Sequence, residues 1–171
     1  LHFPVPSLCL VNIIDFKEIL MKYFKKEYWE MMNSIDKNER NEAFEKWNNS
    51  VRKYSAEFEK ASADLPEAFL KHYLNSQNFH DAIVTQINYM TIGDDKGKVD
   101  IGISTVENHY VITYLDVEKF LVDIPQDKHW LGGEMRWGYD EFEKVKGGLW
   151  EHRILTDGGE IQIIYKKLKI Q

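Results

Sequence analysis

The chain has 171 residues, of which 43% are apolar and 13% aromatic, so it can build a substantial core and general disorder is excluded. Its formal net charge of -6 provides no overall basic surface, which argues against nucleic acid or an anionic membrane as a partner. Cys9 is the only cysteine. That count excludes an internal disulfide and a multi-cysteine zinc site, and it favours a reducing compartment, so we expect a cytoplasmic protein.

The first twenty residues form an apolar segment that Pro4 and Pro6 interrupt. The segment lacks the basic residues and the small-residue cleavage site of a signal peptide, and it is too short and broken to span a bilayer. Helical periodicity starts at Met21. We therefore expect residues 1–20 to be an extension outside the native domain, and we expect no membrane association.

Residues 21–75 have the apolar spacing of amphipathic helices. A first helix is predicted over roughly 21–33, and Asp36 followed by Glu39 has the form of a capping box that starts a second helix. The apolar stripe of that second helix comprises Phe44, Trp47, Val51, Tyr54, Phe58, Ala61 and Leu65. A coiled-coil seam has the same spacing, but so many aromatic residues favour packing on a sheet or on the first helix. Pro66 then starts a short third helix.

From residue 79 onward the apolar period changes to two, which predicts strands. A turn over 93–97 joins two strands into a hairpin, and a third strand follows at 110–114. After loops at Pro125 and at 132–133, three more strands are predicted over 135–145, 149–156 and 160–165. We expect an α+β fold in which the helices of 21–75 pack on one face of a mostly antiparallel meander of about six strands, formed by 79–171. The two segments make one compact unit.

Polar residues occupy the expected core face of the hairpin over 135–156. If Gly147 and Gly148 form a two-residue turn, Glu143 lies opposite His152 on one face, which Tyr139 and Glu141 share. Charged groups are rarely buried without partners, so this pair could act in acid–base chemistry or bind a metal. The alternative is a hydrogen-bonded structural pair. We favour that alternative, because the spacing matches no specific catalytic or metal motif.

His80 and Asp81, at the start of the sheet, are a second candidate pair. A carboxylate beside an imidazole is common in catalytic sites. Adjacent residues on a strand point to opposite faces, however, so capping of loop amides is the favoured interpretation. The sequence holds no nucleophile elbow, phosphate loop, helical histidine pair or calcium loop. We therefore assign no catalytic residue, no metal and no cofactor.

Short motifs from Met21 onward carry a resemblance to a known family. They are Met21-Lys22-Tyr23-Phe24, Tyr28-Trp29, Phe79-His80-Asp81, Trp137-Gly138-Tyr139-Asp140-Glu141, Glu151-His152-Arg153-Ile154-Leu155 and Ile161-Gln162-Ile163. In these the chain resembles an uncharacterised bacterial family of unknown function, which implies no activity and no catalytic residue. The sheet half also looks like the small domains of immunity proteins from bacterial toxin systems, a likeness at the level of fold.

Acidic charge and aromatic residues without a catalytic set suit protein binding. We predict a non-enzymatic protein-binding module, with another protein as its partner and with the immunity type as the case that the resemblance implies. The residues assigned to binding are Tyr139, Glu141, Glu143, His152, His80 and Asp81. One alternative is a small enzyme or metal-binding protein that uses Glu143 and His152, which requires these side chains to converge around an open cavity. Another is a scaffold that self-associates through its helices.

Overall fold

A computed structural model describes residues 21–93, 96–124 and 134–171. Within these ranges the helices are α1 (Lys26–Met31), α2 (Lys37–Ser62) and α3 (Glu67–Asn75). The strands are β1 (Ile83–Ile92), β2 (Lys96–Ser104), β3 (His109–Val117), β4 (Lys119–Asp123), β5 (Met135–Val145), β6 (Leu149–Thr156), β7 (Glu160–Tyr165) and β8 (Lys167–Ile170). The predicted extension over 1–20, the centre of the 93–97 turn and the loop around Pro125 lie outside the described residues.

The α+β class and the antiparallel sheet are confirmed, and α2 and α3 start at the predicted signals. Asp36 caps α2, because its carboxylate accepts hydrogen bonds from the amides of Asn38 at 2.6 Å and Glu39 at 3.4 Å. Pro66 immediately precedes α3. Helix α1 is shorter than predicted, since residues 21–25 are not helical and the amides of residues 22–24 hydrogen-bond instead to Glu141 of β5.

The sheet has eight strands in the order β4-β7-β6-β5-β1-β2-β3-β8, so the predicted single meander of about six strands is wrong. Two three-stranded meanders, β1-β2-β3 and β5-β6-β7, are joined by a short pairing in which Ile83 and Val84 of β1 lie opposite Arg136 and Met135 of β5. Each of two long strands is split at one residue. Strand β4 continues β3 after Glu118, and β8 continues β7 after Lys166.

These two split strands close the sheet. Strand β4 pairs with β7, and β8 pairs with β3, so both ends of the strand order belong to the same two chain segments. The amide of Glu118 donates to the carbonyl of Ile164 at 2.8 Å, which links the segments at the break. The sheet is therefore rolled into a barrel, in which β1 and β5 pair with each other only at Ile83 and Val84 of β1.

Two apolar clusters lie on opposite sides of the barrel wall. The interior cluster includes Phe69, Tyr73, Phe79, Val99, Ile101, Ile103, Ile112, Tyr114, Trp137, Phe142, Ile154, Ile161, Ile163 and Tyr165. The outer cluster comprises Met21, Phe24, Trp47, Tyr54 and Leu155. Helix α3 thus contributes to the interior, whereas α2 supplies Trp47 and Tyr54 to the outer cluster and also packs Phe58 against the interior cluster. The predicted arrangement with all helices on one face differs, because α3 supplies side chains that fill the barrel.

Candidate functional site

The hairpin of β5 and β6 has a register that differs by one residue from the predicted one. A three-residue turn over 146–148 replaces the predicted two-residue turn, and both of its glycines have positive φ, 81° and 73°. Phe142 therefore lies opposite His152, and Glu143 lies opposite Glu151. The predicted pairing of Glu143 with His152 is wrong. Because the two side chains point to opposite faces, they cannot share a substrate or a metal.

A β-bulge at Gly138 also shifts the faces of β5. Trp137 pairs with Thr156 and Tyr139 pairs with Leu155, so Gly138 is an extra residue without a cross-strand partner. A Cβ atom at Gly138 would lie only 3.0 Å from the carbonyl oxygen of Leu155, which favours glycine there. After the bulge, Tyr139, Glu141 and Glu143 face outward, and Asp140 and Phe142 face the barrel interior.

The interior face of the hairpin holds a buried polar network, which we call the interior network and which comprises Tyr73, Tyr114, Asp140 and His152. The hydroxyl of Tyr73 donates to Asp140 Oδ1 at 2.5 Å, and His152 Nε2 lies 2.9 Å from Asp140 Oδ2. The hydroxyl of Tyr114 lies 2.8 Å from His152 Nδ1. The ring of Phe142 stacks on the imidazole, with centroids 3.7 Å apart. Side chains from α3, β3, β5 and β6 therefore meet at one buried carboxylate.

The partners of His152 define its protonation. A carboxylate only accepts hydrogen bonds, so Nε2 donates to Asp140, and Nδ1 of the neutral ring accepts from the hydroxyl of Tyr114. Burial lowers the pKa of His152, and the hydrogen bond and charge of Asp140 oppose this effect only in part. Burial raises the pKa of Tyr73 well above its ordinary value, and the charge of Asp140 raises it further. The network therefore combines one carboxylate with neutral donors.

On the outer face, the carboxylate of Glu141 binds the chain's own segment 22–24. Glu141 is 1% exposed and accepts hydrogen bonds from the backbone amides of Lys22 at 2.9 Å, Tyr23 at 2.6 Å and Phe24 at 2.8 Å. The guanidinium of Arg153 lies 3.5 Å from the same carboxylate. Glu141 thus anchors this segment to β5, where Phe24 joins the outer cluster.

Glu143 belongs to the same outer group of charges. Its carboxylate contacts Lys22 Nζ at 2.9 Å and Arg153 Nη1 at 3.2 Å, and Arg153 also pairs with Glu151. Burial acts to raise the pKa of Glu143, but the hydrogen bonds and charges of Lys22 and Arg153 outweigh it, so the pKa is lowered. Both predicted glutamates therefore have cationic partners within the protein.

A cleft of about 220 Å³ lies between α2, the turn that precedes β1, and β5; we call it the α2–β5 cleft. It is lined by Phe24, Val51, Tyr54, Ser55, Phe58, Tyr73, Gln77, Asn78, His80, Gly138, Tyr139 and Asp140. The structure thus brings Tyr139 and His80, two of the predicted residues, together with Asp140 and Tyr73 of the interior network. The other predicted residues, Asp81, Glu141, Glu143 and His152, are not among the described residues that line it.

The turn that forms one wall of the cleft has an unusual backbone. Gln77, Asn78, Phe79 and Asp81 have φ of 51°, 57°, 58° and 64°, a region that residues with side chains seldom adopt. The turn orients His80, whose ring meets Tyr139 edge-on at 4.9 Å and whose Nδ1 lies 3.1 Å from Asp81 Oδ2. Because both residues precede β1, the opposite-face argument made for a strand does not apply to them. Such strain concentrates at binding and catalytic sites.

The sequence reasoning missed Asp140 and Tyr73, which link the cleft to the interior network. The predicted register, with Tyr139, Glu141 and Glu143 on the core face, puts Asp140 on the opposite, solvent-facing side of β5, yet Asp140 is 4% exposed. Gly138 within a predicted strand is the available signal, since an interior glycine often marks a bulge that reverses the faces beyond it. For Tyr73, which lies in the apolar pattern of α3, the sequence carries no sign of a polar role.

Comparison of the chain with models of known protein families and with curated proteins finds no match. Among the described residues, no group of three or more histidine, cysteine, aspartate and glutamate side chains is placed to hold a metal ion. None of the helices in the described ranges is long and apolar enough to cross a membrane. The site must therefore be interpreted from its own geometry.

Proposed function

We propose that this protein is a non-enzymatic binding module that recognises another protein through the α2–β5 cleft. The observation that carries the proposal is an aromatic cleft lined in part by Asp140, a buried residue whose carboxylate is hydrogen-bonded to Tyr73 and His152. A cleft of this kind combines apolar contact area with a small number of polar groups, which is the usual composition of a binding site.

The hydrogen bonds of the interior network favour binding over acid–base catalysis. His152 is fully buried, and both of its ring nitrogens have partners within the protein. A general base must reach the proton that it removes, directly or through one water. Since His152 does not line the cleft, its imidazole is poorly placed for that role, and Asp140 is the only carboxylate among the described lining residues.

Exposed apolar side chains beside the cleft favour a protein partner. Val51 lines the cleft and is 37% exposed, and Phe44, two helical turns earlier on the same side of α2, is 48% exposed. Leu74, next to Tyr73 on α3, is 57% exposed. Aromatic and apolar groups around a pocket are typical of the centre of a protein interface.

A cytoplasmic location and a toxin as the partner are more specific forms of the same proposal. They rest on the single cysteine, the acidic charge and the likeness to immunity domains. In that case, co-expression of this chain should relieve the growth defect caused by the toxin, and a variant with a blocked cleft should not.

The experiment compares capture of partners from cells of the native organism by three forms of the protein. Ser55 is exposed and lines the cleft, so Ser55→Trp should fill it, whereas Lys53→Trp places the same ring on another exposed side of α2. We expect a stoichiometric partner to be retained by the wild type and by Lys53→Trp, and to be lost with Ser55→Trp. Equal capture by all three forms, or no stoichiometric partner, would overturn the proposal.

A further inference from the structure

The α2–β5 cleft is bordered by Asp140, a buried acidic residue that has no lysine or arginine partner among the described residues. Asp140 is 4% exposed, and its two described partners are the hydroxyl of Tyr73 and the imidazole of His152. A buried charge that meets only neutral donors is costly to desolvate. A ligand that brings a positive charge close to it therefore gains electrostatic energy that a neutral ligand of the same shape does not.

The walls of the cleft suit the same kind of ligand. Phe24, Tyr54, Phe58 and Tyr139 supply aromatic rings, and cations bind favourably over such rings. The described lining contains no lysine or arginine that would compete for Asp140. Clefts for drug-sized ligands have volumes of about 300–1,000 Å³. The 220 Å³ of this cleft suits a single side chain better.

We propose that the group that enters the α2–β5 cleft is a cationic side chain of the partner, a lysine ammonium or an arginine guanidinium held between aromatic rings and Asp140. This inference rests on the proposed function and specifies the chemistry of its site. The cation completes the charge balance that the fold leaves open, so it provides the specificity, while the exposed apolar groups around the cleft provide contact area.

The first measurement uses the full chain and small analogues of the two side chains. n-Butylammonium and n-butylguanidinium are titrated while the NMR signals of His80, Tyr139 and their neighbours are followed, with 1-butanol as the neutral control. We expect saturable shifts from both cations, and binding of 1-butanol weaker by about tenfold or more. Equal binding of the alcohol and the cations, or no binding of the cations, overturns the inference.

Variants test the role of Asp140. Asp140→Asn keeps the size of the side chain and removes its charge. It should weaken the binding of both cations about tenfold and leave the binding of 1-butanol unchanged. The matched control is Asp100→Asn, which alters another buried carboxylate that already pairs with Lys98 at 2.6 Å.

If Asp140→Asn does not fold, Ser55→Arg tests the same point from an exposed position. Its guanidinium should occupy the cleft and abolish binding of n-butylammonium, and unchanged binding contradicts the inference.

Competition separates a side chain of the partner from a free small cation. Saturating n-butylammonium should release the partner that the wild-type protein captures. If the analogue binds the cleft but releases nothing, the partner does not use a cation there and the inference fails. If Ser55→Trp abolishes capture although no cation binds, the inference also fails while the proposed function stands. Capture that is insensitive to Ser55→Trp instead overturns the proposed function.

Discussion

Asp140 and Glu141 are neighbours on β5 and are both nearly inaccessible, at 4% and 1% exposed, yet the two faces of the strand treat them differently. On the outer face, three backbone amides and Arg153 surround the carboxylate of Glu141. On the interior face, the carboxylate of Asp140 meets a tyrosine hydroxyl and a neutral imidazole, and it lines the α2–β5 cleft.

The comparison distinguishes a buried carboxylate that is fully satisfied by groups of the protein from one that could still bind a group of another molecule. Amide donors and a guanidinium stabilise the ionised Glu141 fully within the protein, so its contribution is to attach segment 22–24. Asp140 has hydrogen bonds but no lysine or arginine beside it in the described part of the chain, and it borders a space that another molecule can enter. The outer face therefore serves stability, and the interior face is where we expect recognition.

The largest effect should follow from removal of an anchor of the outer cluster. Trp47 is 7% exposed and packs on Phe24 and Tyr139, so Trp47→Ala should cost about 3–5 kcal/mol of unfolding free energy through lost burial and a residual cavity. Chemical denaturation measures this loss. The control is Phe44→Ala, on the same predicted stripe but 48% exposed, which should cost less than about 1 kcal/mol. Equal losses would show that α2 does not pack as described.

Loss of the Glu141 carboxylate should have the next largest effect. Glu141→Ala leaves three amides without their acceptor, which we expect to cost about 3 kcal/mol, since hydrogen bonds to charged groups contribute about 1.5–3 kcal/mol each and the segment can relax towards water. Hydrogen exchange at Lys22, Tyr23 and Phe24 should accelerate. Glu143→Ala removes a carboxylate whose side chain is 35% exposed, and it should cost less than about 1 kcal/mol. Unchanged hydrogen exchange at these amides in Glu141→Ala would contradict the conclusion that Glu141 anchors segment 22–24 to β5.

Double-mutant cycles should show which residues of β5 lie on the same face as His152, and the expected coupling energies are smaller than the two losses of stability above. Asp140 and His152 share a hydrogen bond of 2.9 Å, so the cycle of Asp140→Asn with His152→Phe should show coupling of about 1–3 kcal/mol. Glu143 lies on the opposite face from His152, so the cycle of Glu143→Gln with His152→Phe should show coupling within about 0.5 kcal/mol. Thermal or urea unfolding provides both values. Strong coupling of Glu143 to His152 would instead support the register in which they face one another.

The smallest effect concerns pH. The pKa of His152 is lowered from its ordinary 6.5 in the folded protein, so below about pH 6.5 the unfolded chain protonates this residue more readily than the folded protein does. The free energy of unfolding therefore falls as pH drops below about 6.5. The slope from this one group is at most about 1.4 kcal/mol per pH unit. The lowered pKa of Glu143 acts in a more acidic range, since its contribution is present above its ordinary 4.5 and is lost as pH falls further.

Urea unfolding at a series of pH values tests this separation. The loss of stability between about pH 6.5 and 5 should disappear in His152→Phe, and Glu143→Gln should alter only the range below about 4.5. The second effect should be small, because the Glu143 side chain is 35% exposed and water screens its ion pairs. An unchanged slope near pH 6 in His152→Phe would show that this imidazole is not held neutral by burial.

The local elements of the fold could be predicted because their signals lie within a few residues. Asp36 caps α2 through its own near neighbours, and Pro66 marks the start of α3. Alternating apolar residues define β1, β2, β3, β6 and β7, and the inward face of β6, with Trp150, His152 and Ile154, follows directly from that period. The α+β class with an antiparallel sheet is thus a consequence of the sequence pattern alone.

The candidate site depends on choices that only the tertiary structure decides. Each irregularity, the bulge at Gly138 and the three-residue turn over 146–148, changes register by one residue, and one residue exchanges the two faces of a strand. Periodicity cannot locate these shifts, because a glycine permits a bulge without requiring it. Closure of the barrel then joins Tyr73, Tyr114, Asp140 and His152 from distant parts of the chain. Sequence spacing therefore determined the three helices and six of the eight described strands, whereas packing decided that Asp140, rather than Glu143, meets His152 beside the cleft.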